Sequence, residues 1–268
     1  MHPTQQQKAQ TFRALHEEGV FLIPNPWDAG SAKLLAALGF LALASTSSGF
    51  AFTLGRPDAG ATPEQVFAHA RALDQATPLP VSIDLENGYG PAPGDAASAI
   101  TRVAGAGAVG ASIEDYHPGG ELYPLAHATE RVIAAVEAAR RLDFPFTLTA
   151  RAENHIRGNP DLADTIARLQ SYEQAGADVL YAPGLRTTDE IRAVCQAVSR
   201  PVNVLALPGL TVAEIARAGA RRISVGGALA WVAVDAMVAA AERVRDDGDL
   251  SVLAASPRTA ELLRGCLS

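Results

Sequence analysis

The chain has 268 residues, of which 48% are hydrophobic, and a formal net charge of −7 at pH 7. This apolar content predicts a folded core and excludes a disordered chain, and an acidic chain without a basic stripe is a poor partner for nucleic acid. No apolar run approaches the ~20 residues of a membrane span, and the polar N-terminus lacks the apolar core of a signal peptide. Cys195 and Cys266 have no metal-like spacing, so we expect a cytoplasmic protein with ordinary thiols and no membrane partner.

Taken in chain order, apolar runs and turn residues predict eight strands that alternate with helices. The strands are expected at residues 20–25, 41–45, 81–84, 109–114, 146–151, 178–181, 202–205 and 222–226. Helices are expected at residues 4–18, 27–38, 62 onward, 95–104, 127–141, 160–174, 187–198, 211–217, 228–245 and 259–264. Residues 46–58 and 115–125 are predicted to be long irregular loops, which often carry function.

A short unit recurs before several predicted strands. It reads Ala-Gly-Ala at residues 106–108, 175–177 and 218–220, with a looser copy at residues 38–40. Each glycine is predicted to end a helix and to turn the chain into the next strand. The strict alternation favours a single α/β domain over residues 1–268, a (β/α)8 TIM barrel with an N-terminal helix and a C-terminal helical extension. A doubly wound open sheet is the alternative, but residues 24–27 lack the glycine fingerprint that it needs.

The active site of such a barrel lies at the carboxyl ends of its strands. The polar residues expected there, strand by strand, are Asn25 and Trp27; Ser45, Thr46 and Ser47; Asp84 and Glu86; Glu114 and Asp115; Arg151 and Glu153; Tyr181; Asn203; and residues 224–227. The acids Asp84, Glu86, Glu114 and Glu153 follow three consecutive strands and are too many to be buried unpaired. They predict a hard divalent cation, Mg²⁺ or Mn²⁺, because no His or Cys cluster favours zinc.

Other strand ends point to an anionic substrate. Arg151 suits a carboxylate or phosphoryl group, and the loop at residues 46–49 offers backbone N–H groups. Each acid alone has a structural reading, since Asp84 could cap a helix and Glu153 could pair with Arg151 or Arg157. The glycines at residues 224–227 fit a phosphate cradle and close strand–helix packing equally well. Together the strand ends predict a small anion whose oxygens chelate the metal.

Several motifs resemble the isocitrate lyase and phosphoenolpyruvate mutase superfamily over nearly the whole chain. They are Asp-Leu-Glu-Asn-Gly-Tyr-Gly at residues 84–90, Ser-Ile-Glu-Asp at 112–115, Ala-Arg-Ala-Glu at 150–153 and Leu-Gly-Arg-Pro-Asp at 54–58. The resemblance implies a TIM barrel whose final helix is swapped between paired subunits, usually in a homotetramer. It also implies Mg²⁺ and substrates that are 2-oxo acids or their enol and enolate forms.

The resemblance also implies roles for individual residues. Asp84 would bind the metal, with Glu86 and Glu114 holding it directly or through waters. Thr46 and Ser47 would donate backbone hydrogen bonds to the substrate carboxylate, and Arg151 would pair with its oxygens. The implied set is completed by Asp58 near the reacting group and by a substrate-contacting Asn203. Trp27, Ser45 and Glu153, which also lie at predicted strand ends, are further predicted substrate-binding residues.

One segment departs from the family pattern. Lyases of the family carry a Lys-[Lys/Arg]-Cys-Gly-His loop after the fourth strand, and mutases and phosphonopyruvate hydrolases carry Lys and Asn there. The segment here, residues 116–124, reads Tyr-His-Pro-Gly-Gly-Glu-Leu-Tyr-Pro. Tyr116, His117, Glu121 and Tyr123 are therefore the candidate proton donors, with Tyr116 and His117 placed in the predicted catalytic set beside Asp58 and Arg151.

Three functions remain open from the sequence. The leading hypothesis is a Mg²⁺-dependent carbon–carbon lyase that acts on a small 2-oxo or 2-hydroxy di- or tricarboxylate, of the oxaloacetate or methylisocitrate type, through a metal-stabilised enolate. The alternative is a P–C bond mutase or hydrolase that acts on phosphoenolpyruvate or phosphonopyruvate. The third is a 2-oxo-acid-binding protein with little catalysis. A homo-oligomer, dimer or tetramer, is expected in each case.

Overall fold

Eight parallel strands form the wall of a barrel in the computed structural model, which describes residues 3–267. The strands in chain order are β1 (Phe21–Ile23), β2 (Leu43–Ala44), β3 (Val81–Asp84), β4 (Gly110–Glu114), β5 (Tyr116–His117), β6 (Glu121–Leu122), β7 (Thr147–Arg151), β8 (Val179–Tyr181), β9 (Val202–Leu205) and β10 (Arg222–Ser224). The barrel order is β1-β10-β9-β8-β7-β4-β3-β2, and β5 and β6 pair separately as an antiparallel hairpin.

The two end strands of this order meet and close the ring. The backbone N–H of Ala44, on β2, donates to the carbonyl oxygen of Pro24, just after β1, at 3.1 Å. Each neighbouring pair in the order is parallel, and every pair except β1–β10 is joined through at least one helix, which is the kind of connection that parallel strands require. The (β/α)8 TIM barrel is thus confirmed, and the doubly wound sheet is excluded.

Eleven α-helices and one 3-10 helix occur within residues 3–267. They are α1 (Gln5–Ala14), α2 (Ala29–Ala37), α3 (Ser47–Thr53), α4 (Pro63–Ala76), α5 (Pro93–Ala104), α6 (Leu125–Arg140), α7 (Leu162–Gln174), α8 (Thr188–Ala197), α9 (Val212–Arg217), α10 (Ala228–Asp247), a 3-10 turn (Leu250–Leu253) and α11 (Pro257–Leu267). Many begin at a capping side chain, as where the Asp28 carboxylate accepts from the backbone N–H of Ser31 at 2.7 Å. None is both long and apolar enough to cross a membrane.

The recurring glycines end helices as their spacing predicts. Gly39, Gly107, Gly176 and Gly219 have φ values of 87°, 107°, 97° and 113°. L side chains rarely adopt such a backbone, so glycine is favoured at each of these turns into a strand. The repeated Ala-Gly-Ala unit therefore marks the turns at which the chain passes from a helix into the next strand of the barrel.

Hydrophobic side chains fill the layer between the strands and the helices, whereas many of the side chains inside the barrel are polar. Ile83, Leu148 and Ile223 point outward from their strands and are at most 1% exposed. Alternate residues on the same strands, such as Ser82 and Thr149, are buried on the inner side. The polar interior opens at the carboxyl ends of the strands, which places the candidate site there.

Two segments predicted as irregular contain regular structure. Residues 47–53 form α3, capped by the Thr46 side chain, which accepts from the Gly49 N–H at 3.4 Å. Ala51 is buried and Phe50 stacks on His69 with ring centroids 3.9 Å apart, so tertiary packing stabilises a helix that shows little periodicity in the sequence. Residues 116–122 form the β5–β6 hairpin, whose two-residue strands are too short for an alternating pattern to be visible.

Candidate active site

A cavity of about 220 Å³ lies at the carboxyl ends of the barrel strands. It is smaller than the ~300–1,000 Å³ typical of drug-sized ligands, so it suits a small metabolite. The side chains predicted from the sequence that line it are Ser45, Thr46, Ser47, Asp58, Asp84, Arg151 and Asn203. Ser45 and Asn203 are 158 positions apart in the chain, yet both line this cavity because the ends of their strands meet at one rim of the barrel.

Arg151 is the centre of the charges at this rim. Its Nε and Nη2 donate to Oε1 of Glu153 at 3.1 and 2.8 Å, and its Nη1 donates to Oδ1 of Asp84 at 3.0 Å. Nη2 also lies 3.2 Å from Oε2 of Glu114. Burial opposes the charge of Arg151, but the three carboxylates together raise its pKa well above the ordinary range. The fork that was expected to capture a substrate carboxylate is therefore already engaged by Glu153.

Arg157 supports the same acids from the loop after β7. Its Nε donates to Oε2 of Glu153 at 3.1 Å, and its Nη2 lies 3.5 Å from Oε1 of Glu114. Its guanidinium carbon stands 4.0 Å from the centre of the Tyr116 ring. The structural reading of Glu153, as a partner of both arginines, is thus what the structure shows.

Glu86 has a different environment from Asp84, although both follow β3. Asp84 accepts from Arg151 and from the Ser112 hydroxyl at 3.2 Å. Glu86 has a φ of 50°, in the left-handed region, and burial followed by repulsion from Asp84 and Asp58 raises its pKa to about 7. The turn that follows is held by Arg131, which donates to the carbonyl oxygens of residues 87 and 90. The protein therefore maintains a carboxyl group in a strained and acid-rich position.

Asp115 fixes the neighbouring strand end. Its Oδ1 accepts from the Glu153 backbone N–H at 2.8 Å, and its Oδ2 accepts from Arg168 at 2.9 Å and from the Tyr172 hydroxyl at 2.5 Å. All four residues are buried. This network sets the position of Glu153 and, through it, of Arg151.

The acids around Arg151 fit a partly hydrated divalent cation. Asp58, Asp84, Glu86, Glu114 and Glu153 provide five carboxyl groups against the guanidinium groups of two arginines. No set of three acidic, His or Cys side chains within residues 3–267 converges as a fully protein-ligated site requires. Mg²⁺ in proteins retains several waters and is bound by only one or two carboxylates. The carboxyl groups here outnumber the arginines, and the raised pKa of Glu86 reflects its burial and the negative charge around it, which a cation would offset.

Several predicted residues lie outside the small cavity. Glu86 and His117 line a separate depression of about 350 Å³, and the His117 Nδ1 accepts from the Gly119 N–H at 2.8 Å. Tyr116 lies under Arg157. Trp27, which directly precedes the N-cap residue Asp28 of α2, donates its backbone N–H to the Ser31 hydroxyl at 3.1 Å. Glu121 is exposed on the hairpin.

Asn25 and Tyr181 were expected at strand ends without a specific role, and Arg222 was not predicted, yet all three lie on the cavity wall. Asn25 accepts from the backbone N–H groups of Val225 and Gly226, both at 2.9 Å, and so joins β1 to the end of β10. Tyr181 and Arg222 also line the cavity. Their inward positions follow from the alternation along β8 and β10, but their contacts depend on strands that are distant in the sequence.

A family model for phosphoenolpyruvate phosphomutase matches residues 12–245 of the chain. An uncharacterized protein of Mycobacterium tuberculosis is 33% identical over 245 residues, which is 90% of this chain and 91% of that protein. A 2-methylisocitrate lyase of Halalkalibacterium halodurans is 30% identical over 208 residues, covering 74% of this chain and 67% of the lyase.

Solved structures show the same similarity. A candidate lyase/mutase from Burkholderia cenocepacia J2315 has a TM-score of 0.95 and 50% identity, and 98% of each chain is covered. Oxaloacetate acetylhydrolase in complex with oxalate has a TM-score of 0.88 and 26% identity, over 98% of this chain and 94% of that one. Phosphonopyruvate hydrolase in complex with oxalate and Mg²⁺ has a TM-score of 0.84 and 25% identity, over 96% and 95%. The chain belongs to the phosphoenolpyruvate phosphomutase family, within the isocitrate lyase/PEP mutase superfamily, as the sequence motifs imply.

Proposed function

We propose that this protein is a Mg²⁺-dependent lyase that breaks a carbon–carbon bond in a small 2-oxo or 2-hydroxy di- or tricarboxylate of the oxaloacetate or methylisocitrate type. The observation that carries the proposal is the cavity at the strand ends, where Arg151 and Asp84 lie 3.0 Å apart beside the hydroxyl-rich residues 45–48. The similarity to a 2-methylisocitrate lyase and to oxaloacetate acetylhydrolase supports substrates of this size and charge.

Arg151 provides a fixed positive charge next to the reacting carbons. Of its five N–H donors, two face Glu153, one faces Asp84 and one faces Glu114, which leaves one on Nη1 for a substrate oxygen. Cleavage of the C3–C4 bond of a 2-oxo acid leaves the electron pair on C3, beside the carbonyl group, and so places negative charge on the 2-oxo oxygen. A preorganised donor in a site that excludes water stabilises such charge by several kcal/mol, roughly 3–4 by comparison with oxyanion holes.

Asp84, Glu86 and Glu114 are the residues proposed to hold Mg²⁺, directly or through waters, and Mn²⁺ suits the same oxygen ligands. When bound, the ion supplies Lewis-acid polarisation of the substrate oxygens. Thr46 and Ser47 are proposed to bind a substrate carboxylate through their backbone N–H groups.

The remaining site residues have proposed roles that fit their positions on the cavity wall. Ser45 and Asn203 contact the substrate from the cavity wall, and Asp58 lies at the cavity edge, where it is exposed and can exchange protons with solvent. Tyr116 and His117 stay proton-donor candidates that would need the hairpin to move toward the cavity. Trp27 and Glu153 are proposed to act on substrate only by holding α2 and Arg151 in place.

The proposal is tested by incubating the protein with Mg²⁺ and a panel of 2-oxo and 2-hydroxy dicarboxylates and tricarboxylates, with cleavage products measured. We expect Asp84→Ala to lower kcat/KM by about 100-fold or more. The matched control is Asp189→Ala, which removes an exposed acid paired with Arg192 at 2.5 Å and should leave turnover unchanged. Full Mg²⁺-dependent turnover by Asp84→Ala would show that the metal assignment is wrong.

A second candidate function uses the same site but acts on a phosphorus–carbon bond instead of a carbon–carbon bond. The matching family model is named for phosphoenolpyruvate phosphomutase, and the structure is similar to that of a phosphonopyruvate hydrolase. Phosphorus NMR of an incubation with phosphonopyruvate or phosphoenolpyruvate separates P–C chemistry from carbon–carbon cleavage. Thermal stabilisation by 2-oxo acids without turnover on either panel would instead indicate the binding protein.

We also propose that the protein is a homo-oligomer, dimer or tetramer, in which α10 contributes to the interface. Of the 20 residues of α10, only Ala230 is buried, and the exposed ones include Trp231, Val232, Met237 and Val238. A row of apolar side chains on one long helix is typical of an interface between subunits.

A further inference from the structure

Arg222, on β10, is a buried arginine in the wall of the active-site cavity, and only 5% of the residue is exposed. Asp84 on β3 and Arg151 on β7 line the same cavity. The ring of strands runs from β10 through β9 and β8 to β7, and in the other direction through β1 and β2 to β3. Arg222 therefore lies on the side of the cavity that faces away from the acids proposed to hold Mg²⁺.

The hydrogen-bond partners of Arg222 within residues 3–267 are all uncharged. Its Nε donates to Oδ1 of Asn203 at 2.8 Å, and its Nη2 donates to the hydroxyl of Thr149 at 2.9 Å. Its Nη1 lies 3.4 Å from Nε2 of His16. Since each Nη atom of a guanidinium carries two hydrogens, one N–H of Nη1 and one of Nη2 have no partner in the part of the chain that the structure describes.

His16 is not a counter-ion for Arg222. Its Nδ1 is 2.8 Å from the carbonyl oxygen of Phe12, which can only accept, so Nδ1 carries the proton and Nε2 presents a lone pair to Arg222. Burial and then the charge of Arg222 lower the pKa of His16 to about 3. The histidine is therefore neutral at neutral pH, and the charge of Arg222 stays uncompensated.

Two other buried arginines show how a purely structural guanidinium is accommodated in this protein. Arg168 pairs with Asp115 at 2.9 Å. Arg131 donates to the carbonyl oxygens of residues 87, 90 and 92, and its guanidinium carbon lies 4.6 Å from the centre of the Tyr123 ring. Neither of them lines the cavity. Arg222 differs from both, because it has neither an acid nor backbone carbonyl oxygens as partners and it borders the cavity.

The charge of Arg222 is retained in spite of its burial. Burial lowers the pKa of Arg222 to about 10, so the guanidinium is still a cation at neutral pH. A buried charge is unfavourable unless it is paired and hydrogen-bonded, and an anion in the cavity would supply both the opposite charge and acceptors for the two free N–H groups. The cavity thus has an acid-rich side that suits a metal ion and a cationic side that suits a carboxylate.

We propose that Arg222 binds a second carboxylate of the substrate, so that the substrate is a dicarboxylate that spans the cavity from the metal side to Arg222. That the bound molecule is a 2-oxo or 2-hydroxy acid rests on the proposed function, whereas the second carboxylate is inferred from Arg222. A monocarboxylate of the same length would leave the guanidinium without a counter-charge, so Arg222 discriminates against it. Asn203 fixes the direction of the guanidinium through its hydrogen bond to Nε.

The test compares the Kd values of malate and 2-hydroxybutyrate, measured by calorimetry in the presence of Mg²⁺. Both are four-carbon 2-hydroxy acids, and they differ only in the carboxylate that malate carries at C4. The unaltered protein should bind malate roughly 10- to 100-fold more tightly, because a buried charged group gains hydrogen bonds. Arg222→Met, which has a similar length and no charge, should lower this preference to less than about 3-fold by weakening the binding of malate alone.

The matched control is Thr149→Val, which removes the hydrogen bond of Nη2 at 2.9 Å but keeps the cation and its contact with Asn203. It should retain a malate preference of at least about 10-fold, because the charge that selects malate is unchanged. Arg222→Lys also keeps the charge but lacks the planar fork, so it should retain part of the preference.

Equal Kd values for the two ligands in the unaltered protein would overturn the proposal, and so would an absence of malate binding. An unchanged preference in Arg222→Met, or an equal loss in Thr149→Val and Arg222→Met, would overturn it as well. Turnover plays no part in this test. A protein that prefers malate through Arg222 but cleaves no substrate would contradict the proposed function alone, and one that cleaves a 2-oxo acid but binds both ligands equally would contradict the role of Arg222 alone.

Discussion

Glu86 and Asp84 are two residues apart, yet their carboxyl groups are in opposite electrostatic situations. Asp84 is bound by Arg151 at 3.0 Å, whereas Glu86 has a pKa of about 7 because of burial and the nearby acids Asp84 and Asp58. Its φ of 50° adds backbone strain. A residue that is unfavourable for folding in both respects is expected to be kept for what it binds.

Replacing Glu86 should therefore stabilise the fold and impair the site. We expect Glu86→Gln to raise the free energy of unfolding at pH 8 by roughly 0.5–2 kcal/mol, because it removes the repulsion among the carboxylates, and to lower Mg²⁺-dependent turnover. Urea denaturation and a Mg²⁺ titration of activity measure the two effects. Glu137→Gln, at an exposed pair with Arg141, is the control and should change stability by less than about 0.5 kcal/mol.

The repeated helix-to-strand turns differ in how closely their glycines are packed against neighbouring residues. Gly39 and Gly219 have similar positive φ values of 87° and 113°. A Cβ on Gly39 would meet nothing within 4 Å, whereas one on Gly219 would lie 2.8 Å from the Cys195 Cβ on α8. Both turns need a residue that tolerates a positive φ, but only at Gly219 is there also no room for a Cβ atom.

The two turns should respond differently to the same substitution. Gly39→Ala should lower the free energy of unfolding by about 1–2 kcal/mol through backbone strain. Gly219→Ala should cost that amount and a further ~1–3 kcal/mol, because the new methyl group overpacks against Cys195. Urea midpoints at constant m-value measure both, and equal losses would show that the contact with Cys195 relaxes freely.

At the scale of the whole molecule, two buried histidines link stability to pH. Burial and Arg222 lower the pKa of His16 to about 3, and burial lowers that of His69, which stacks on Phe50, to about 4. The unfolded chain protonates both near 6.5 and so binds more protons than the folded protein below that pH. Their stabilising contribution is complete above pH 6.5 and is lost as the pH falls toward 4 and then 3.

As the pH falls from 7.5 to 5, protonation of each histidine in the unfolded chain should lower the free energy of unfolding by about 2 kcal/mol. The control is His69→Phe, which keeps a ring to stack on Phe50 and has no proton to bind. Its unfolding free energy should fall by about 2 kcal/mol less over this range than that of the unaltered protein. The difference between the two curves isolates His69 from all other titrating groups, and parallel curves would contradict its pKa.

The long helix α10 gives a prediction about assembly. Trp231 and Val238 are seven residues apart on one face and are 42% and 47% exposed. If this face contacts a second copy, Val238→Glu should place a charge in the interface and shift the oligomer toward the monomer. Light scattering after size-exclusion chromatography measures the mass, and Arg245→Glu, at the exposed C-terminal end of α10, serves as the charge-changing control.

The (β/α)8 barrel could be predicted from the sequence, and so could the residues that lie at its rim. Apolar runs separated by helix-ending glycines predict eight βα units, and the ends of parallel strands must meet at one rim, which brings Asp84, Glu114 and Arg151 together. Helix α3 and the β5–β6 hairpin escaped prediction because contacts distant in the chain, such as Phe50 on His69, stabilise short segments that have little pattern of their own.

Which charged groups have a partner of opposite charge could be read only from the three-dimensional structure. Glu153 accepts from two nitrogens of Arg151, while Arg222 has no acid partner among residues 3–267 and donates to the amide oxygen of Asn203. Local patterns report whether a side chain points into the barrel. They do not report which neighbour it meets there, because the partners come from strands whose positions around the ring are fixed only when the barrel closes.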